Sequence, residues 1–368
     1  MPDWIVSAVD VDDLAAGCSL LGSGGGGDPH TAVIAMRLLL EDGRSARIIE
    51  PADLSAEALV VSVGFVGAPM TVLEKLFTHT EMLTAIDAMQ RRLGRPVDAL
   101  IASEIGGMNG LTPLIAGALL GLPVVDADGM GRAFPLSSQV SYGIHGLCAT
   151  PLVVSGEDGQ LAVIETSNAA QAESMTRALC MAFGNKCFSV DYPLTKQQIE
   201  QYAVPRTVSL ARAIGTALRM ARARHSDPMS ALRGALETAE AQAAVLVEGR
   251  VVACEHRVDG GFGVGQVTVC GADGATLDLE FQNEFLVARE NGQVRASTPD
   301  IISVVASDTF ENITSDSIRY GQRVTVIAID GPRIMMTPLA LSVVGPRAFK
   351  FDFDHTPFTR PDKLAARQ

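Results

Sequence analysis

Apolar and polar positions along the chain change rhythm as the sequence proceeds. From Val11 to Leu21 the apolar residues recur at helical spacing, with Asp12 and Asp13 placed at the positive end of the helix dipole. A glycine-rich loop follows, then a second helical stretch from Pro29 to about Glu41. Leu59-Val60-Val61-Ser62-Val63-Gly64-Phe65 is a short apolar run bounded by Gly67-Ala68-Pro69, and it reads as a buried strand. Thr71 to Arg92 returns to helical spacing through Leu73, Leu76, Phe77, Met82, Leu83 and Ile86. Ala99-Leu100-Ile101-Ala102 is another strand, Pro113 to Leu120 a helix stopped near Gly121, and Pro123-Val124-Val125 opens the next strand. Strands separated by helices predict parallel, right-handed βαβ units.

Beyond Ser167 the pattern predicts helices over Asn168 to Phe183, Pro205 to Arg224 and Pro228 to Ala243. From Leu246 the period shortens. Val251–Ala253, Gly265–Val269, Leu277–Phe281 and Val324–Ala328 are strand-like, and Asp259-Gly260, Asp273-Gly274, Asn291-Gly292 and Asp330-Gly331 supply turn dipeptides. The expectation is an α/β N-terminal domain over residues 1–167, with parallel βαβ units, the glycine-rich loop and an acidic site. A helical segment and a β-rich C-terminal domain then occupy 168–368.

Composition narrows the function. Across 368 residues, 47% are hydrophobic and 19% charged, which excludes a disordered chain. A formal charge of −13 argues against nucleic acid as a partner. The run Ile105 to Val125 is uncharged but broken by glycines and prolines, so no membrane span is expected. No basic segment precedes an apolar one at the N-terminus, and the six cysteines form no CxxC pair; reduced thiols in the cytoplasm are expected, with Cys180 and Cys187 in the core.

Gly22-Ser23-Gly24-Gly25-Gly26-Gly27-Asp28-Pro29-His30 is the most conspicuous segment. Asp28 suits an N-cap and Pro29 a first helical turn, so the amides of Gly24, Gly25, Gly26 and Gly27 are placed to bind an anion or a developing oxyanion. No Gly-Lys-Ser/Thr follows and no strand precedes, so a nucleotide cofactor is not expected, nor is Ser23 a nucleophile. Ser103 to Gly110 falls at the carboxyl end of a predicted parallel strand, where ligands bind in open α/β sheets, and puts Glu104 and Asn109 there. Asp126-Ala127-Asp128-Gly129-Met130-Gly131-Arg132 follows the next strand. Asp126 and Asp128 can hold a divalent cation or share a proton, and Arg132 can clamp a substrate carboxylate; a polar turn with a surface ion pair is the plainer alternative. His145, between glycines, is a candidate metal ligand or base.

Together these motifs, with Gly260-Gly261-Phe262, Phe281-Gln282-Asn283-Glu284, Thr298-Pro299-Asp300-Ile301-Ile302, Arg319-Tyr320-Gly321-Gln322-Arg323-Val324 and Val344-Gly345-Pro346-Arg347-Ala348-Phe349, resemble the S-methyl thiohydantoin desulfurase family over roughly Val11 to Asp352. The resemblance implies an α/β domain followed by a strand-rich one. It also implies hydrolysis at the sulfur-bearing carbon of a five-membered ring, releasing a thiol and leaving a hydantoin. For such a reaction the residues offer a divalent metal, zinc or manganese, on Asp126, Asp128 and His145, with Glu104 as general base. Asn109 and the glycine amides would stabilise negative charge, and Arg132 would orient the small-molecule substrate. A metal-free version uses Asp126 or Asp128 as base. The competing reading is a non-catalytic subunit of a hydantoinase/oxoprolinase-type complex. A homo-oligomer is expected. The chemistry is expected before residue 135, with Asn283 or Glu284 reaching in from the second domain.

Overall fold

The computed structural model describes residues 3–67 and 79–358. The predicted strands before residue 130 build one sheet. β1 (Trp4–Ile5), β2 (Arg47–Ile49), β3 (Val60–Gly67), β4 (Ala99–Ala102) and β5 (Val124–Asp128) are joined later in the chain by β6 (Leu152–Ser155), β7 (Leu161–Ile164), β8 (Lys186–Leu194) and β9 (Val204–Pro205). The order is β1-β2-β5-β4-β3-β8-β6-β7, with β9 on β5. The pairs β2–β5, β5–β4 and β4–β3 are parallel, as the strand-helix alternation predicts. β8 pairs antiparallel to β3. β8 and β9 thus extend the first sheet beyond residue 167, into the stretch expected to be helical.

The helix Ala8–Leu21 starts at a capping box between Ser7 and Asp10. It packs against the helix Thr207–Arg224 so closely that a Cβ at Gly17 would sit 1.9 Å from Ala211 O, and one at Gly215 1.8 Å from Asp13 O. Only glycine permits that approach. Asp13 then accepts Arg219 Nε at 2.7 Å and Asp10 accepts Arg212 Nε at 2.6 Å, pinning the crossing from both ends. Of the predicted helix Thr71–Arg92, residues His79–Leu93 are helical, and Thr71 to Thr78 lies outside the described residues. The helix predicted over Pro228–Ala243 ends at Leu236, because Ala243 is already paired with Ile329 in the second sheet.

That second sheet is antiparallel throughout: β10 (Ala243–Asp259), β11 (Phe262–Gly271), β12 (Thr276–Gln282), β13 (Glu284–Glu290), β14 (Gln293–Ser297), β15 (Ile301–Ala306), β16 (Asn312–Ile313) and β17 (Arg323–Ile329), in the order β14-β13-β12-β11-β10-β17-β15-β16. The architecture is therefore α/β in the N-terminal region and β-rich in the C-terminal one. Asp259-Gly260, Asp273-Gly274 and Asn291-Gly292 close hairpins, whereas Asp330-Gly331 ends β17 without one. No helix among the described residues is long and apolar enough to cross a membrane.

Candidate active site

β3 and β4 run side by side; β4 ends at Ala102, while β3 continues past it through Phe65 to Gly67, paired with β8. Ser103 and Glu104 follow β4 directly. The chain then turns through the short 3-10 helix Gly107–Gly110, and Asn109 folds back to bridge the strands. Its Oδ1 accepts Phe65 N at 2.7 Å, and its Nδ2 donates to Phe65 O at 3.2 Å and to Glu104 Oε1 at 2.7 Å. Phe134 N donates to Glu104 Oε2 at 3.3 Å. Both carboxyl oxygens of Glu104 are thereby oriented.

The glycine loop lies on this turn. Gly26 O accepts Asn109 N at 3.3 Å and Gly27 O accepts Met108 N at 3.0 Å. A Cβ at Gly26 would sit 2.3 Å from Gly106 O, so the contact requires its absence. The far side of the loop meets the second domain: Ser23 O accepts Phe285 N at 2.7 Å, Gly24 O accepts Ser315 N at 2.9 Å, and Ser23 Oγ accepts Ile302 N at 3.0 Å. Ser23 is thus a domain-joining residue. Glu284, the first residue of β13, is delivered beneath Gly25, where a Cβ would lie 2.0 Å from its Oε1.

A cavity of about 100 Å³ opens at this junction. Glu104, Asn109, Gly26 and Gly27 line it from the first domain, Asn283 and Glu284 from the second. Burial pushes the Glu104 pKa up to about 7, against the pull of the Asn109 and Phe134 hydrogen bonds. Glu284 is driven higher, well above the carboxylate range, by burial and then by the neighbouring charge of Glu104. Two carboxyl groups whose affinities for protons are both raised by burial in one site can serve as an acid and a base.

The other sequence candidates are elsewhere. Arg132 is fully buried and donates to Ala133 O at 2.8 Å, Asp300 O at 2.5 Å and Phe285 O at 3.3 Å. Its positive charge holds the Glu284 pKa down, so it acts as a buried counter-charge rather than as a clamp on substrate. Asp28 is exposed and accepts His30 N at 2.8 Å, at the start of the helix His30–Glu41. Gly24 packs on the Phe285 ring and Gly25 on Glu284.

Asp126 and Asp128 sit within β5, before the turn that was expected to carry them. Asp126 accepts Ser209 N at 2.9 Å and the Ser209 hydroxyl, in the first turn of the helix Thr207–Arg224. Asp128 accepts the amides of Ile105 at 2.8 Å, Met130 at 3.0 Å and Gly131 at 2.8 Å. His145 Nδ1 lies 2.7 Å from Ser141 O, and its ring stacks on Tyr202. These donors are committed to the fold, and no group of three or more His, Cys, Asp or Glu among the described residues could hold a metal ion. The zinc or manganese expectation thus finds no ligand set in Asp126, Asp128 and His145, and neither aspartate reaches the cavity as a base. Asp126→Ala is expected to cost about 1–2 kcal/mol of stability through the lost helix cap, while turnover per folded molecule is unchanged. Unfolding curves and a rate measurement on one preparation separate the two.

Three lining residues escaped the sequence reading: Ser189 and Asp191 on β8, and Arg177 from the helix Ala169–Ala182. Arg177 stacks over the Phe262 ring at 4.1 Å and donates to Glu173 at 2.6 Å and to Pro135 O at 2.7 Å. An aspartate inside the buried run Lys186–Leu194 was the available signal for β8.

Two family models match the chain: "S-Me-THD-like, N-terminal domain" over residues 9–166 and "S-Me-THD-like, C-terminal domain" over residues 166–358. No curated protein matches. Among solved structures, the fold is similar to a crystal structure of a protein from Chromobacterium violaceum. The TM-score is 0.78 at 22% identity, covering 97% of this chain and 99% of that one. At that identity the likeness speaks for the fold.

Proposed function

The chain belongs to the S-Me-THD-like family, and from that premise we propose that it is a hydrolase of S-methyl thiohydantoin-like rings, replacing the sulfur substituent by oxygen. The observation that carries the reading is the pair Glu104 and Glu284, brought from different domains to one small buried cavity. In the substrate the sulfur-bearing carbon is doubly bonded to a ring nitrogen. Glu104, ionised above about pH 7, takes a proton from water as its oxygen bonds to that carbon. Electrons of the carbon–nitrogen double bond move onto the ring nitrogen, which receives the proton Glu104 has just taken, and Glu104 is a base again. Glu104 then takes the hydroxyl proton, and as that O–H electron pair forms the carbonyl the carbon–sulfur bond breaks. Glu284, protonated in the resting site, supplies the proton that lets the sulfur leave as methanethiol. The products are a hydantoin and a thiol, so water is the only co-reactant.

Asn109 keeps the base aimed, holding Glu104 Oε1 from the same side chain that ties β3 to β4. The amides of Gly26 and Gly27 border the cavity and donate to no acceptor among the described residues, so they are free to meet charge developing on the ring. The purified chain alone is expected to release methanethiol from an S-methyl thiohydantoin, followed with a thiol reagent, with hydantoin formed in equal amount. Absence of both products would instead favour the non-catalytic subunit of a hydantoinase/oxoprolinase-type complex.

A further inference from the structure

β8 runs along β3 at the cavity edge and sets Asp191 opposite Ser62. Asp191 is 3% exposed and lines the same cavity as Glu104 and Glu284. Its Oδ2 accepts Ser189 Oγ at 3.3 Å. Ser62 stands opposite it, with its hydroxyl 2.8 Å from Ser103 Oγ. Its Oδ1 has no partner among the described residues. A buried carboxyl oxygen left unmatched costs about 1–3 kcal/mol, so folds retain one where something else answers it. The backbone beside it is strained: Tyr192 has a φ of +42°, a conformation that a bulky aromatic residue rarely adopts. The Tyr192 ring is buried and packed edge-on to Tyr142 at 4.7 Å, which holds the strand in this shape. Strain of this kind concentrates at functional sites. Glu284, which lines the cavity from the second domain, likewise has an Oε2 without a hydrogen-bond partner among the described residues.

The unmatched Asp191 oxygen calls for a ligand with an N–H donor. We propose that Asp191 binds the ring: its free Oδ1 accepts an N–H of the five-membered heterocycle and thereby turns the sulfur-bearing carbon toward Glu104. The inference rests on the hydrolase reading for its substrate, but it concerns recognition and not bond breaking. An S-methyl thiohydantoin keeps an N–H within the ring, and the hydantoin product has two. Asp191 therefore selects rings that retain this donor and excludes those whose nitrogens are both alkylated. Glu104 and Glu284 remain available for proton transfer.

The test is calorimetric binding of hydantoin and of its N,N′-dimethyl derivative to the wild-type chain, Asp191→Ala and Asp191→Asn. Thermal unfolding serves as the check on folding. At pH 8, above the value of about 7 to which burial raises the Asp191 pKa, hydantoin is expected to bind Asp191→Ala about 10- to 100-fold more weakly than wild type, the loss of one charge-assisted hydrogen bond. Asp191→Asn, whose amide oxygen still accepts, should recover part of that loss. The dimethyl derivative should bind wild type weakly, and the Ala substitution should not weaken it further. Equal binding of hydantoin to wild type and Asp191→Ala overturns the proposal. So does equal binding of the two ligands to wild type, a comparison that stands even if Asp191→Ala does not fold. Failure of wild type to bind hydantoin at all overturns it too. Asp191-dependent binding without thiol release would leave this assignment standing and remove the hydrolase reading instead.

Discussion

Glu104→Gln is expected to lower kcat for thiol release by about 10²- to 10⁴-fold with little change in KM, the loss associated with removing a positioned general base. The substitution preserves shape, and the Asn109 amide can still donate to the Gln oxygen, so the cavity should persist. The pH profile identifies the group. A base must be ionised, so kcat/KM of the wild type should rise with pH through about 7, where Glu104 loses its proton, and then level off. At higher pH, loss of the Glu284 proton should bring the rate down again, because the leaving sulfur then lacks its acid. Glu284→Gln should abolish that alkaline fall while lowering kcat. A Glu104→Gln variant that keeps wild-type kcat and the rise near neutrality would falsify the base assignment.

Arg132→Met should destabilise the chain by about 3–5 kcal/mol, among the largest effects available from a single side chain here. Arg132 is fully buried, and burial lowers its pKa only to about 10, so it is positive at neutral pH. Around it lie Glu104, Glu284 and Asp300, acidic groups whose ionised forms favour its positive charge. Removing it leaves acidic groups without compensation and the carbonyls of Asp300 and Phe285 without a donor. Arg132→Lys should recover little, since an ammonium cannot place three donors on three separate carbonyls in this planar arrangement. In molecules that still fold, the acid limb of kcat/KM should move to higher pH, because Arg132 holds the Glu104 pKa down. Urea unfolding supplies the first number and the pH profile the second. A stability change within about 1 kcal/mol would show that the neighbours are uncharged together and that Arg132 is not their counter-ion.

Glu104 and Asn109 were legible in the sequence because their place is a local consequence of βαβ order: a strand ends, the chain turns, and the turn faces the ligand edge. The Asp126 and Asp128 pair misled for a local reason as well. Two acids two residues apart look like a shared site, but β5 continues through both, and each takes nearby N–H donors that the fold would otherwise leave unmatched. Arg132 was read as a clamp because its partners, Asp300 and Phe285, are distant in sequence. Asp191 could not be placed because no strand was read between the helices predicted to end at Phe183 and to begin at Pro205, where β8 runs. Only the antiparallel pairing of β8 with β3 brings it to the cavity. Glu284 was visible as a residue of interest, but its closeness to Gly25 depends on how the domains dock.

The seam between Ser23 and Phe285, with the Arg132 guanidinium spanning it, has a consequence for heredity. Each half of this chain carries one of the two carboxyl groups that line the cavity, and the cavity itself forms only when both halves are folded against each other. A gene fragment encoding either half alone, however well it folded, would inherit no catalyst. A duplication or exchange of one half with a relative would be viable only if the incoming surface reproduced the same carbonyl positions for Arg132.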